Sequence, residues 1–425
     1  MSNGKGPEAE QTETLPHHTC DALSPWRVYN LAFNYFERRY MAAQLPTLVQ
    51  MLSQLVAIPS MSSVDPRFDC GNRAVVERLA NWFSDSGFQA ELMPLRHHPD
   101  KLNLIARSGP GEGGLVLSGH ADTVPYDEGA WSTDPFTLTE RDGRLYGLGA
   151  ADMKNFFPLI LAAAGTLDLR ALTRPLVILA TADEESSMAG IRALAASGER
   201  LGRYALIGEP TALKPVYMHK GVTMESIRLR GRSGHASNPR LGNNAIDGMH
   251  RVLGALMEWR GELQAAYADH DFEVPEPTLN LGNIHGGDSP NRICAECELQ
   301  IDIRTLPGMP FDSLRQALLE RVERAVAGSG LALEVRPLVA GIGALKTDRS
   351  SAIVQSLERL TGLPAGTVSF ATEGPFLSAL GIDTVVCGPA DIAQAHQPDE
   401  YVDGARLVSM QSIVKALIAE YGLGV

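Results

Sequence analysis

The strongest constraint on this chain is a series of short, nearly continuous apolar runs that end in histidine or acidic residues. "GLVLSGH" stops at His120, "RPLVILATADEE" at Glu184 and Glu185, and "RYALIGEP" reaches Glu209. Runs this short, rich in Val, Ile and Leu and bounded by Gly or Pro, read as strands buried on both faces. Helical patterns lie between them: "CGNRAVVERLANWFSDSG" ends at Gly87, and "NFFPLILAAAGTL" carries an apolar face. The alternation is a βαβ pattern, hence an α/β sheet with helices on both faces.

Around Pro215 the pattern changes. "VYMHKGVTMESIRLRGRSG" alternates like one long exposed strand, "NNAIDGMHRVLGALMEWRGELQ" is a helix capped by Asn243 or Asn244, and "TLNLGNIHGG" and "CELQIDIRTLPG" read as antiparallel strands. "FDSLRQALLERVERAVAG" adds a second helix, giving a compact α+β insertion over residues 214–337. The chain then returns to the first sheet through "SSAIVQSLERLTG", "FATEGPF", "IDTVVCGP", "AQAHQPDEY" and a final helix. A chain of 425 residues exceeds what one core supports, so 41–213 and 338–425 are expected to form one domain around the insertion.

The start of the chain lacks a basic segment followed by an apolar one, so it does not read as a secretory signal; its composition is that of a disordered leader, residues 1–40 read as an appendage or a mis-called start, and Tyr29 to Arg39 could form a short amphipathic helix. Met41 opens the first helical pattern. No apolar run reaches the roughly 18 residues of a membrane span. Five cysteines, odd and sparse, argue for a reduced compartment and a cytoplasmic address. A net charge of -13 with no basic run argues against nucleic acid as a partner.

The chemistry lies at the strand ends. In "SGHADTVP", strand periodicity sends His120 and Asp122 to one face. Asp152 in "GLGAADMK", Glu184, Glu185, Glu209 and His396 in "AQAHQPDEY" occupy comparable places, and in an open α/β sheet such places converge outside the carboxyl ends. Two histidines with three or four carboxylates suit Zn2+, with Co2+ or Mn2+ as alternatives. One Asp bridging two ions about 3.5 Å apart would account for the surplus of carboxylates. Asp122 would fix the tautomer of His120 by accepting its free N–H. Of Glu184 and Glu185, one can ligate while the other carries a proton from an attacking water to a leaving amine.

Taken singly, an acid after a strand is more often a helix cap or a solvated loop group than a ligand, and Asp142, Asp183 and Asp399 keep that ordinary reading. The joint recurrence is what capping preferences do not produce. Cys294 and Cys297 form neither a zinc nor a redox pair, because on a strand they would point to opposite faces. His17 and His18 read as solvated, and "GGLVLSG" lacks the spacing of a nucleotide loop.

Together "SGHADTVP", "GLGAADMK", "ATADEESSMAG", "IGEPT", "GRSGHAS", "NRICAECELQIDIR" and "AHQPDEY" resemble, in this order, the M20 family of metallopeptidases and deacylases. The likeness runs from Met41 to Val425 and is greatest to the acetylornithine deacetylase branch, through "GRLYGLGAADMK", "TLNLGNIHGGD" and "AHQPDEY". It implies a zinc-exopeptidase-like catalytic domain with a mixed sheet and flanking helices. It also implies that the insertion is a ferredoxin-like lid carrying a homodimer contact.

Carried onto this sequence, the resemblance implies two zinc ions per subunit, with cobalt possible: His120, Asp152 and Glu209 at one, Asp152, Glu185 and His396 at the other. Glu184 would be the general base, Asp122 the orienting group, and the Asp152–Met153 peptide cis. His235 would reach the other subunit's centre and polarise the scissile carbonyl. Asn291 and Arg304 would hold the substrate carboxylate, although Arg304 alone reads as a salt bridge at a strand end. Thr372 and Glu373 would line the pocket, and an acidic Glu373 could meet a cationic substrate side chain. The implied reaction removes acetate from N2-acetyl-L-ornithine in arginine biosynthesis. Acetylcitrulline deacetylase, succinyl-diaminopimelate desuccinylase, aminoacylase and dipeptidase siblings would share the metal ligands, and a non-catalytic relative would have no need of Glu184.

Overall fold

The computed structural model describes residues 45–425. The leader, the segment Tyr29 to Arg39, His17, His18 and Met41 lie outside the described residues. The first described helix is Leu48–Val56, begun by a capping box between Thr47 and Gln50.

Nine strands among the described residues form one large sheet. Its centre is four parallel neighbours, Leu176–Thr181, Leu115–His120, Tyr204–Ile207 and Asp383–Val386. Antiparallel strands His98–Ser108 and Gln89–Leu95 extend one side, and Val216–His219 and Leu345–Lys346 the other, so the sheet is mixed. Burial explains the continuous apolar runs. Leu115 and Leu117 pack with Phe156, Phe157 and Leu161 of helix Phe156–Ala164, whereas Val116 between them packs with Ile191 and Leu194 of helix Ala189–Ser197. Both pleat faces are covered, so no polar alternation is left in the sequence. At Gly208 an added Cβ would stand 2.3 Å from the Phe156 ring, so the chain can lead into Glu209 beside that helix only as glycine.

A second, four-stranded sheet runs Thr278–Gly286, Glu296–Thr305, Gly221–Arg230, Ala332–Ile342 in spatial order, antiparallel throughout. Helices Ala245–Ala266 and Phe311–Val326 bring Val252, Leu256, Trp259, Leu318 and Val322 onto its Ile227, Leu229, Leu299 and Ile301. Strand, helix, strand, strand, helix, strand in chain order is the ferredoxin-like arrangement. Asn244, rather than Asn243, caps the first of these helices by accepting from Ile246 N.

The long alternating run after Pro215 is two strands, and it is mostly buried rather than exposed because each strand lies inside its sheet. Val216–His219 belongs to the large sheet and Gly221–Arg230 to the small one. The break falls at Lys220, and the second strand begins at Gly221, where a Cβ would lie 2.4 Å from Thr305 Oγ1. Cys294 precedes its strand and packs in the same core as Cys297, so the two thiols are not on opposite faces. No helix of the described residues is long and apolar enough to cross a membrane.

Leu117 is fully buried in the central strand. Leu117→Ala should cost about 2–5 kcal/mol, seen as a lowered thermal midpoint by circular dichroism; an unchanged midpoint would mean that this strand is not core.

Candidate metal centre

His120, Glu184, Glu185 and Glu209 come together beyond the carboxyl ends of parallel strands, whereas Asp152 and His396, expected at such ends, reach them from loops. His120 is the last residue of its strand, Glu184 and Glu185 follow a turn begun by Asp183 in the left-handed region, and Glu209 follows Gly208. The ligating atoms of His120, Asp152 and Glu185 lie within 4.8 Å of one another, as do those of His120, Glu184 and Glu209. His120 Nε2 is 3.0 Å from Asp152 Oδ1 and 3.8 Å from Glu209 Oε1. His396 Nε2 is 3.0 Å from Glu185 Oε2 and 3.6 Å from Asp152 Oδ2. Asp152 thus stands between the two imidazoles with one oxygen towards each, and the Asp152–Met153 peptide is cis.

Asp122 orients His120 differently from the expectation. The ring Nδ1 is 2.9 Å from the Asp122 backbone carbonyl but 3.8 Å from its carboxylate. The carbonyl therefore takes the N–H and leaves Nε2 facing Asp152. The carboxylate accepts from Glu185 N at 3.1 Å, tying this strand end to the Glu184–Glu185 turn.

Burial governs the electrostatics. It pushes the Glu184 and Glu209 carboxyls well above their usual range, and neighbouring carboxylates push further. Burial, helped by the charge of Glu185, lifts Asp122 to about 6 against the pull of His120. For Asp152 burial acts the same way but loses to the hydrogen bond and charge of His120 and the charge of His396, so the carboxyl falls below its usual value. His396 rises to about 9 through its hydrogen bond to Glu185. A buried set with more carboxylates than imidazoles holds protons unless cations replace them. Its oxygen and imidazole donors fit a borderline divalent ion such as zinc, so the residues present suit a metal.

Several supporting residues were not legible beforehand. Asp183 is neither solvated nor a simple cap: it is buried, paired with Lys101 and hydrogen-bonded by Ser62 and Ser187. Lys101 Nζ also meets Asp69 at 2.7 Å, so a buried ion network sits beneath the Glu184 turn. Asp399 keeps its ordinary role, accepting from Ser132 N at 2.8 Å. Glu400 was overlooked within "AHQPDEY". Its buried carboxylate accepts from the backbone N–H groups of Gly149, Ala151 and Asp152 at 3.0, 2.7 and 2.9 Å. Burial pushes this carboxyl up to about 8, and the three amide donors oppose it. Lys154, pushed down to about 7 by burial, donates to the Leu55 and Ile58 carbonyls.

The expected substrate contacts fall into two places. Thr372 and Glu373 are buried beside the centre. Thr372 Oγ1 is 3.0 Å from His219 Nε2, and Glu373, 1% exposed, has an oxygen without a partner. Burial lifts Glu373 to about 7 against the Thr181 hydroxyl and His120, so this carboxyl faces the centre and not an open pocket. His235 and Asn291 are exposed on the four-stranded unit and adjacent, through the His235–Arg292 bridge and an Ala236 N–H to Asn291 carbonyl bond of 3.0 Å. Arg304 is engaged by Asp302 at 2.8 and 3.0 Å. Among the described residues, no hydrogen bond or ion pair joins these three to the metal-ligating cluster.

Residues 116–420 match the model of peptidase family M20/M25/M40. The acetylornithine deacetylase of Pasteurella multocida is 46% identical over 381 residues, 90% of this chain and 100% of that one. The acetylornithine deacetylase of Edwardsiella ictaluri is 45% identical over 90% of this chain and 99% of its own. Among solved structures, a tripeptidase from Staphylococcus aureus shares the fold with a TM-score of 0.70 at 21% identity, covering 87% of this chain and 96% of that chain. A dinuclear metal-binding M20 peptidase from Bacillus subtilis does so with a TM-score of 0.60 at 16% identity, covering 88% and 97%.

His219 gives a pH test. Its Nδ1–H donates to the Lys220 carbonyl at 2.9 Å, Nε2 faces Thr372, and burial pushes the ring down from 6.5 to about 4. The unfolded chain takes up this proton first as pH falls, so the neutral ring's contribution is whole above pH 6.5 and is lost towards about pH 4. His219→Gln should flatten the decline in thermal midpoint over that window; an unaltered slope would mean that the ring is not held neutral.

Proposed function

The chain belongs to peptidase family M20/M25/M40, and from that membership and this centre we propose that it removes the acetyl group from N2-acetyl-L-ornithine, releasing L-ornithine and acetate. It is a hydrolase of amide bonds. The choice of substrate is carried by an identity to acetylornithine deacetylases that extends over nearly the whole of both chains. The assignment brings with it a place in arginine biosynthesis and in the cytoplasm.

In this reading His120, Asp152 and Glu209 hold one divalent ion, and Asp152, Glu185 and His396 hold a second, with Asp152 shared. Zinc is the ion of choice and cobalt a substitute. Bound metal supplies Lewis acidity to the amide carbonyl and to the water that attacks it. Glu184 carries the proton. Buried beside other carboxylates, it has the raised proton affinity that a base working near neutral pH needs. It takes a proton from the attacking water and gives it to the amine as the C–N bond breaks. Asp122 keeps His120 in one tautomer through its carbonyl, and its carboxylate steadies the Glu185 amide.

The four-stranded unit serves as a lid and as the contact of a homodimer, through which His235 of each chain reaches the other's centre and donates to the developing oxyanion. Asn291 and Arg304 receive the substrate carboxylate when the lid closes, with the Arg304 fork exchanging Asp302 for it. Thr372, anchored by His219, borders the same space.

Glu184→Gln should lower kcat by about 10²–10⁴-fold with zinc content unchanged by elemental analysis; near-full activity would remove Glu184 from its role. Initial rates on N-acetylornithine, N-acetylcitrulline, N-succinyl-diaminopimelate and N-acetylmethionine, with metal stripped and then restored, test the substrate. Metal-restored activity should be led by N-acetylornithine, and a lead by the succinyl compound would move the assignment to a sibling activity.

A further inference from the structure

Asp152 sits in a loop, residues 147–155, that lies between strand Arg144–Tyr146 and helix Phe156–Ala164 and belongs to neither. The backbone groups of such a buried loop need partners from outside it or from its own side chains. They find them. Glu400 Oε1 accepts from Ala151 N at 2.7 Å and Asp152 N at 2.9 Å, and Oε2 accepts from Gly149 N at 3.0 Å. The Glu400 carbonyl accepts from Gly147 N at 3.0 Å. On the acceptor side, Asn155 Nδ2 donates to the Ala150 and Ala151 carbonyls at 3.0 and 3.1 Å. Gly149 presents its amide at a φ of +77°, and a Cβ there would lie 2.7 Å from Thr123.

Glu400 is 2% exposed, so water does not compete for these bonds. It lies four residues after His396, whose Nε2 is 3.6 Å from Asp152 Oδ2 and 3.0 Å from Glu185 Oε2. The strand that follows, Tyr401–Asp403, pairs with Arg144–Tyr146, the strand leading into the loop. One side chain therefore fastens the segment carrying Asp152 to the segment carrying His396.

We infer that Glu400 is a positioning residue that sets Asp152 against His396 and so determines the affinity of the metal ion these two share with Glu185. The inference rests on the two-metal reading above. An ion held by groups from three separate chain segments binds tightly only when those segments are held in register beforehand. A carboxylate suits the task because all three partners are donors. In Glu400→Gln the remaining oxygen can still serve Ala151 and Asp152, but the amide nitrogen meets the Gly149 N–H donor to donor.

The test titrates the full-length, metal-stripped protein with Zn2+ by calorimetry and with Co2+ by visible absorption. Glu400→Gln should weaken the ion that needs Asp152 and His396 in register about 10–100-fold, and the other ion, which shares Asp152 alone, by less. Its kcat should recover in excess metal while KM for N-acetylornithine stays unchanged. Glu400→Asp keeps the charge without the reach and carries the same expectation should Glu400→Gln not fold. Asp399→Gly removes the acceptor of the Ser132 N–H at a positive φ that glycine tolerates, so it loosens the same segment without touching the loop, and it should leave both metal affinities unchanged. Wild-type affinities at both sites in Glu400→Gln would overturn the positioning role alone. Equal weakening in Asp399→Gly would also overturn it, by showing a general effect of loosening. A wild type that binds no second ion would overturn the two-metal reading and this inference together.

Discussion

The rest of the molecule depends on keeping an unbalanced group of carboxylates buried in one crevice. His120 and His396 face Asp152, Glu184, Glu185 and Glu209, with Asp122 and Glu373 close behind. In water such groups would repel one another weakly and turn outwards. Buried, they shift their proton affinities or demand cations, and the penalty for misplacing any of them is large. A scaffold that holds such a set needs rigid origins for every side chain.

The parallel strands provide most of those origins. Covered on both faces, they are the least mobile part of an α/β fold, and a residue at a strand end inherits that rigidity. Asp152 and His396 do not come from these strand ends directly, and for them the structure uses buried polar fasteners. Glu400 gathers the amides of the Asp152 loop, while Lys101 and Asp69 hold Asp183 beneath the Glu184 turn. His219 does the same for Thr372, which begins the segment leading to Glu373. In each case a fully engaged polar group lies one step behind a group that faces the centre, which is how a site built partly on loops acquires the precision of one built on strands.

The ferredoxin-like unit has a separate core and a different relation to the chemistry. His235 and Asn291 are brought together on it, yet they are exposed, and Arg304 is engaged by Asp302. Side chains that are exposed or engaged elsewhere can change partners at low cost, in contrast to the buried fasteners of the centre. The asymmetry separates a buried cluster of fixed side chains from an exposed surface whose side chains are free to exchange partners.

Much of this was legible in the sequence because its signals are local. Apolar runs of strand length, helical periodicity and the His or acid that ends a run are all properties of neighbouring residues, so the α/β sheet, the α+β insertion and the strand-end places of His120, Glu184, Glu185 and Glu209 could be read from them. Where an expectation depended on how a backbone turned, it failed: the run after Pro215 divides at Lys220 between two sheets, and the Asp122 carbonyl rather than its carboxylate meets His120. Glu400 and Asp183 look in sequence like any acids of a loop. Their roles come from amides and an ammonium group far along the chain, Glu400 meeting Gly149 and Asp183 meeting Lys101. The sequence by itself determined which chemical groups are available and that His120, Glu184, Glu185 and Glu209 follow strand ends. Only the tertiary structure decided which of the remaining polar residues turn inward to hold them, because burial is a property of the packed whole and not of any stretch of chain.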